Sequence, residues 1–222
     1  MGVTTVHQYP IPEGKTGQQV IDNLVKLLET LGATKSGTFC VDCETYYSAP
    51  MITPARTMNV IHNTEAPVSC FAILDTGTSL RCDVHFDSML GILNGIYQAK
   101  KAAKMESKGP RFTKGDFTVK IGSVSIGPSF RGILIEIEYG PCLVPAHCWE
   151  LLREFMASFM FPPRDPHVYL QGKMNEIFTP LDTIQQYNDY FNSLRKAPVT
   201  AQPVEETKPT INPVTSEASS QA

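Results

Sequence analysis

No stretch of this chain is apolar for long enough to span a bilayer, and no secretory hydrophobic region follows Met1. A membrane-spanning role is therefore not expected, and the thiols are expected to be reduced inside a cell. Met1-Gly2 opens like an N-myristoylation site, but Val6 stands where that motif needs Ser or Thr, so no lipid anchor is expected. Catalytic motifs are also scarce. There is no H-E-x-x-H, no G-x-S-x-G and no Gly-rich phosphate loop, which removes zinc-peptidase, serine-hydrolase and P-loop chemistry. His7, His62 and His167 have no recognisable sequence partner. His147 and Cys148 are adjacent on a predicted helix and would point about 100° apart, which does not suit a nucleophile and its base.

What is present is an ordinary globular composition. The 222 residues, 42% hydrophobic and 18% charged, can bury one large core or two small ones. Six cysteines over this length do not make a small-domain disulfide framework. Cys40 and Cys43 have the spacing of a redox or zinc pair. However, the run Thr38-Phe39-Cys40-Val41-Asp42-Cys43-Glu44-Thr45-Tyr46-Tyr47 alternates Phe39, Val41 and Cys43 with polar neighbours and reads as a strand. Residues three apart on a strand face opposite ways, so the two thiols are expected to diverge and to be structural.

The net charge of −3 is unevenly spread. Lys100, Lys101, Lys104, Lys108, Arg111 and Lys114 surround a single acid, Glu106. Such a patch suits an acidic partner or a solvated helix end. Phe112 is its one aromatic, so the stacking platform of a single-strand nucleic-acid binder is missing and direct nucleic-acid contact is not expected.

Thr16 and Gln19 form a capping box ahead of Val20, Ile21, Leu24, Leu28 and Leu31, which predicts a helix over 17–31 closed by Gly32. Strands are predicted near 37–47, 57–63, 67–75 and 78–83, and a second helix over 86–105. From Phe117, short apolar runs separated by Gly122, Gly127-Pro128 and Gly132 predict an antiparallel meander. Pro145 starts a third helix with Trp149, Leu152, Phe155, Met156 and Phe159 on its apolar face, and Pro162-Pro163 ends that segment. Thr179 caps a fourth, with Pro180 and Asp182 in its first turn. From residue 197 onward four prolines and no aromatics predict a disordered tail, leaving one domain over 1–196. Seven or eight antiparallel strands with flanking helices favour a mainly β, α+β barrel over a sandwich.

Two constellations could carry chemistry. Asp83, His85 and Asp87 would share one face of a strand and could hold a cation, but Asp87 is better explained by the first turn of a helix. Glu136 and Glu138 share a face opposite Ile135, Ile137 and Tyr139. If that face pointed into a barrel, the pair could bind a divalent cation and act as a metal-dependent phosphohydrolase of the triphosphate tunnel type. That pattern would place a lysine where this chain has Gly140, and buried carboxylates without cations are costly, so a solvent- or partner-facing strand is preferred.

Several blocks together resemble the Mediator subunit 20 family, the TRF-proximal proteins. They are Met1-Gly2-Val3-Thr4, Glu13-Gly14-Lys15, the run from Gly37 to Tyr46, His62-Asn63 and Ser69-Cys70-Phe71-Ala72. Further along come Asp116-Phe117, Val119-Lys120, Gly127-Pro128-Ser129, Arg131-Gly132, Glu138-Tyr139-Gly140-Pro141-Cys142, Trp149 and Glu154-Phe155. They run in order along about residues 1–195. The resemblance implies a non-catalytic subunit of the Mediator head module in the nucleus, a coregulator linking regulatory signals to RNA polymerase II. It implies an antiparallel barrel distantly like the triphosphate tunnel fold, paired with the related barrel of subunit 18 and tethered by the C-terminal helix of subunit 8. It carries over no catalytic, cofactor-binding or metal residues. The Ser125–Glu138 meander and the fourth helix are the candidate partner surface.

Overall fold

The computed structural model describes residues 2–51, 54–93, 95–99, 104–160 and 162–197. Nine strands form one sheet: β1 Val3–Tyr9, β2 Thr34–Ser48, β3 Thr57–Asn63, β4 Ser69–Leu74, β5 Ser79–Asp83, β6 Tyr97–Ala99, β7 Met105–Lys114, β8 Phe117–Ile126 and β9 Ser129–Tyr139. Their order is β1-β9-β8-β7-β2-β3-β4-β5, with the short β6 pairing the far end of β2. Every pairing is antiparallel.

Five helices accompany the sheet: α1 Gly17–Thr30, α2 Phe86–Ile92, α3 Pro145–Ala157, the single turn α4 Val168–Gln171, and α5 Pro180–Lys196. The sequence signals explain the ends of α1. Gln19 N donates to Thr16 Oγ1 and Thr16 N to Gln19 Oε1, the two halves of the capping box. At the other end Ala33 N reaches Leu28 O and Gly32 N reaches Glu29 O, a Schellman close that needs the positive φ of +83° at Gly32.

Three apolar layers hold the assembly. The outward-facing residues of β9, Ile133, Ile135 and Ile137, pack with Val20, Leu24 and Leu28 of α1 and Trp149, Leu152 and Met156 of α3. The inward-facing Val6, Val41, Cys43, Ile61, Phe71 and Leu134 pack with Ile184, Tyr187, Phe191 and Leu194 of α5. A third layer puts Leu90 of α2 on Tyr46, Met58, Val60, Cys70 and Ala72. The period-two alternation of the strands therefore serves two cores, one on each face.

The expected closed barrel is corrected to an open, curled half-barrel. Among the described residues β1 and β5 do not pair. Helix α5 meets β1 and β9 near one end of the strand order and β3 and β4 near the other, so the sheet curls round it. Gln186 of α5 acts as a substitute strand on the free edge of β1. Its Oε1 accepts from Val6 N at 2.9 Å and its Nε2 donates to Thr4 O at 3.1 Å.

Three further expectations change. The helix predicted over 86–105 ends at Ile92, and Met105 already belongs to β7, so the strand block begins before Phe117. The meander beyond Phe117 is two long strands, with Gly122 and Gly132 inside them and only Gly127-Pro128 at the turn. Strand β1 adds an element at the start that the sequence reading left without assignment.

Candidate functional site

The cysteine pair behaves as strand geometry requires. Cys43 is fully buried in the inner core and Cys40 is half-buried on the other face; all six thiols are free. Burial pushes the Cys43 thiol up to about 11, against the pull of Arg195, whose guanidinium lies 3.3 Å from the sulfur. A thiol held neutral at physiological pH is a poor nucleophile or ligand. Cys148 is buried while the neighbouring His147 is exposed, so those two side chains do not meet.

Asp83, His85 and Asp87 do not converge either. Asp83 Oδ1 accepts the His85 backbone N–H, and Asp87 Oδ2 lies 2.6 Å from His62 Nε2. Among the described residues no group of three or more His, Cys, Asp or Glu could hold a metal ion.

Lys108, Arg111 and Lys114 of the basic patch lie on β7, not at a helix end, and point different ways. Lys104 lies 3.5 Å from Asp42, Lys108 3.4 Å from Glu106, and Lys114 Nζ reaches Leu31 O. Arg111 turns into the trough, 3.7 Å from Glu65. Lys100 and Lys101 lie outside the described residues.

The chemically richest place is the end of the trough that α5 leaves unfilled. A cavity of about 520 Å³ opens there, lined by Glu136 and Glu138 of β9, Lys120 of β8, Arg111 of β7, Arg81 of β5 and Glu65 of the β3–β4 turn. The expected solvent-facing placement of Glu136 is wrong: it is 2% exposed. Its cation comes from the next strand, not from position 140. Lys120 is its registered neighbour on β8, and Lys120 Nζ lies 2.8 Å from Glu136 Oε1. The other carboxylate oxygen accepts from the Tyr187 hydroxyl at 2.7 Å.

Electrostatics fix these protonation states. Burial works against charge on Lys120, but the attraction of Glu136 and Glu65 outweighs it and holds the ammonium above its ordinary pKa. Burial, reinforced by the Glu136 charge, pushes the Tyr187 phenol well above its usual range, so it remains a neutral donor. Both oxygens of Glu136 are thus engaged. Glu138 is held separately, accepting from Gly2 N at 2.7 Å. A side chain at position 2 would put its Cβ 1.8 Å from Tyr139 O, so the contact requires glycine. A metal-dependent hydrolase needs carboxylates open to a cation, and both oxygens of Glu136 are already taken by protein donors.

The candidate partner surface, the polar residues of the Ser125–Glu138 meander and the fourth helix, is in part accessible: Ser125, Ser129, Arg131 and Glu138 are half-buried and Ser193 is exposed. Ile133 to Glu136 on β9 are buried, as are Ile184, Gln186, Tyr187 and Phe191 of α5, because α5 lies inside the curl. One group of exposed apolar residues lies on α2 and just beyond it, Met89, Ile92, Leu93 and Ile96, with Leu80 on edge strand β5; others, such as Met51, Val68, Val168 and Ile177, are spread over the surface.

Residues 1–192 match the family described as TATA-binding related factor (TRF) of subunit 20 of Mediator complex. A rat protein named "Mediator of RNA polymerase II transcription subunit 20" is 46% identical over 203 residues, covering 88% of this chain and 95% of the relative. The human protein of that name gives the same identity and coverage. The one from Anopheles gambiae is 45% identical over 220 residues, covering 91% of this chain and all of the relative. Among solved structures, a protein of Pyrococcus horikoshii OT3 aligns with a TM-score of 0.45 at 12% identity, over 77% of this chain and 98% of that one, too slight a likeness to bear on function. On the strength of the family match and these relatives, the chain belongs to the Mediator subunit 20 family.

Proposed function

We propose that this chain is a non-catalytic subunit of the Mediator complex, a transcription coregulator that works in the nucleus and helps relay regulatory signals to RNA polymerase II. The observation that carries this reading is near-half identity along almost the full length of relatives bearing the subunit 20 name. The engaged carboxylates of the trough agree with it, since Glu136 has no open oxygen to offer a divalent cation.

Family resemblance supplies the partners: the barrel of subunit 18 and the C-terminal helix of subunit 8. We assign the subunit 18 contact to β5 and α2. Beyond β4 the edge of β5 has no strand partner among the described residues, and Ile92 is 85% exposed at the end of α2. Natural proteins cover or blunt such edges, and clustered exposed apolar groups mark interaction surfaces. Mixing the recombinant chain with its subunit 18 counterpart should give one co-eluting species in size exclusion. Ile92→Asp should weaken that species without lowering the melting temperature, because Ile92 is 85% exposed. Two separate monomers at micromolar concentration would count against the pairing. Phosphate release from triphosphate-ended RNA with Mg²⁺, lost in Glu136→Gln, would overturn the non-catalytic assignment.

A further inference from the structure

The trough cavity holds three acids and three bases, and the two sets are not used alike. Glu136 is fixed by Lys120 and Tyr187, and Glu138 by the Gly2 N–H. Glu65 sits 3.6 Å from Lys120 and 3.7 Å from Arg111. The arginines keep donors to spare. Arg81 gives its Nε to Ser69 Oγ at 3.0 Å and has no carboxylate within 4.0 Å among the described residues. Arg111 has a buried Nε with no hydrogen-bond partner, and its one carboxylate neighbour stands beyond hydrogen-bond distance. Both reach the same cavity from opposite walls, Arg81 beside its cross-strand neighbour Phe71 and Arg111 beside Lys120.

The same cavity has an apolar rim. Pro67, Val68 and Phe71 line it with Pro180, and Val68 is 69% exposed. Its volume of about 520 Å³ suits a few side chains. We propose that this cleft is a docking site for an acidic-apolar peptide segment of a partner, with carboxylates received by Arg81 and Arg111 and an apolar side chain set against Pro67 and Val68. Guanidinium groups with free N–H pairs match carboxylates bidentately, which supplies the charge complementarity. A polyphosphate fits less well, because it would leave the apolar Pro67, Val68 and Pro180 of the rim without a partner. The site does not depend on the Mediator assignment, and its failure would leave that assignment standing.

The test uses the full chain and a fluorescein-labelled decapeptide of alternating aspartate and leucine, with an asparagine-for-aspartate copy as control. By fluorescence anisotropy at low salt the acidic peptide should bind about tenfold more tightly than the copy, and added salt should weaken it. R81Q and R111Q should each reduce affinity several-fold. K26Q, on the exposed face of α1, should leave it unchanged. If R111Q disturbs folding, R81Q decides alone, since Arg81 is an exposed residue of an edge strand. Equal binding of the two peptides, or binding indifferent to R81Q, would overturn the proposal. So would tripolyphosphate binding by a chain that ignores the peptide.

Discussion

Lys120 interrupts an otherwise apolar alternation, Val119-Lys120-Ile121, and ends only 2% exposed. Its sense becomes visible in the register, which sets it opposite Glu136. Removing one member of a buried pair strands the other, so Lys120→Leu should cost about 3–5 kcal/mol in urea unfolding. The double variant Lys120→Leu, Glu136→Leu should cost less than the single one, and a larger loss for the double would contradict the pairing. The histidines give opposite pH signs. The hydrogen bond that the His62 ring donates to Asp87 raises His62 above 6.5, so its contribution is complete below 6.5 and is lost as pH rises through the raised value. Burial, then the charges of His167 and Arg164, lowers His7 to about 4, so its contribution is present above 6.5 and is lost as pH falls toward 4. Melting temperatures followed across pH should lose their alkaline slope in Asp87→Asn and part of their acid slope in His7→Gln. Unchanged slopes would mean these groups do not titrate with folding.

At the scale of elements, the legible parts were those with local punctuation. Helix α1 has its capping box and Gly32, α3 its Pro145, and α5 its Thr179–Asp182 box, with Thr179 N donating to Asp182 Oδ2 at 2.7 Å. Strand β7 was illegible because Glu106, Ser107, Lys108, Gly109 and Pro110 have little strand propensity. Pairing with β2 and β8 on both sides fixes it instead, a tertiary cause. The sequence predicts too long an α2 because Leu93, Ile96 and Tyr97 continue a helical spacing beyond Ile92, where the helix ends ahead of Gly95. Helix α5 fills the curl with Ile184, Tyr187, Phe191 and Leu194, a periodic stripe, and closes the edge of β1 with Gln186, which no periodicity reveals. Gln186→Leu should leave the Val6 N–H and Thr4 C=O without partners and cost about 1–3 kcal/mol. Hydrogen exchange at Val6 should quicken toward the rate of global opening; an unchanged rate would show that the edge is closed by something else.

For the whole molecule, local patterns foretold an antiparallel sheet with helices but not whether it closes, because closure depends on which strands meet at the ends. The trough site was half legible: Glu136 and Glu138 stood out, while Arg81, Arg111 and Lys120 came from three other strands. The disorder expected from residue 197 onward falls on residues that, after Ala197, lie outside the described ones; four prolines and no aromatics leave little burial to offset the roughly 1–2 kcal/mol per residue that ordering the backbone would require. Truncation after Ala197, whose carbonyl accepts from Arg131 at 3.0 Å, should therefore leave melting temperature and subunit 18 affinity unchanged, and a drop of several degrees would mean the tail docks on the domain.

The central claim is membership of a working Mediator complex. The direct measurement is affinity purification of the tagged full chain from nuclear extract, with the co-purifying proteins quantified by mass spectrometry. The account predicts Mediator head subunits in near-stoichiometric amount, subunit 18 foremost. Recovery of a monomer free of every Mediator subunit would contradict it.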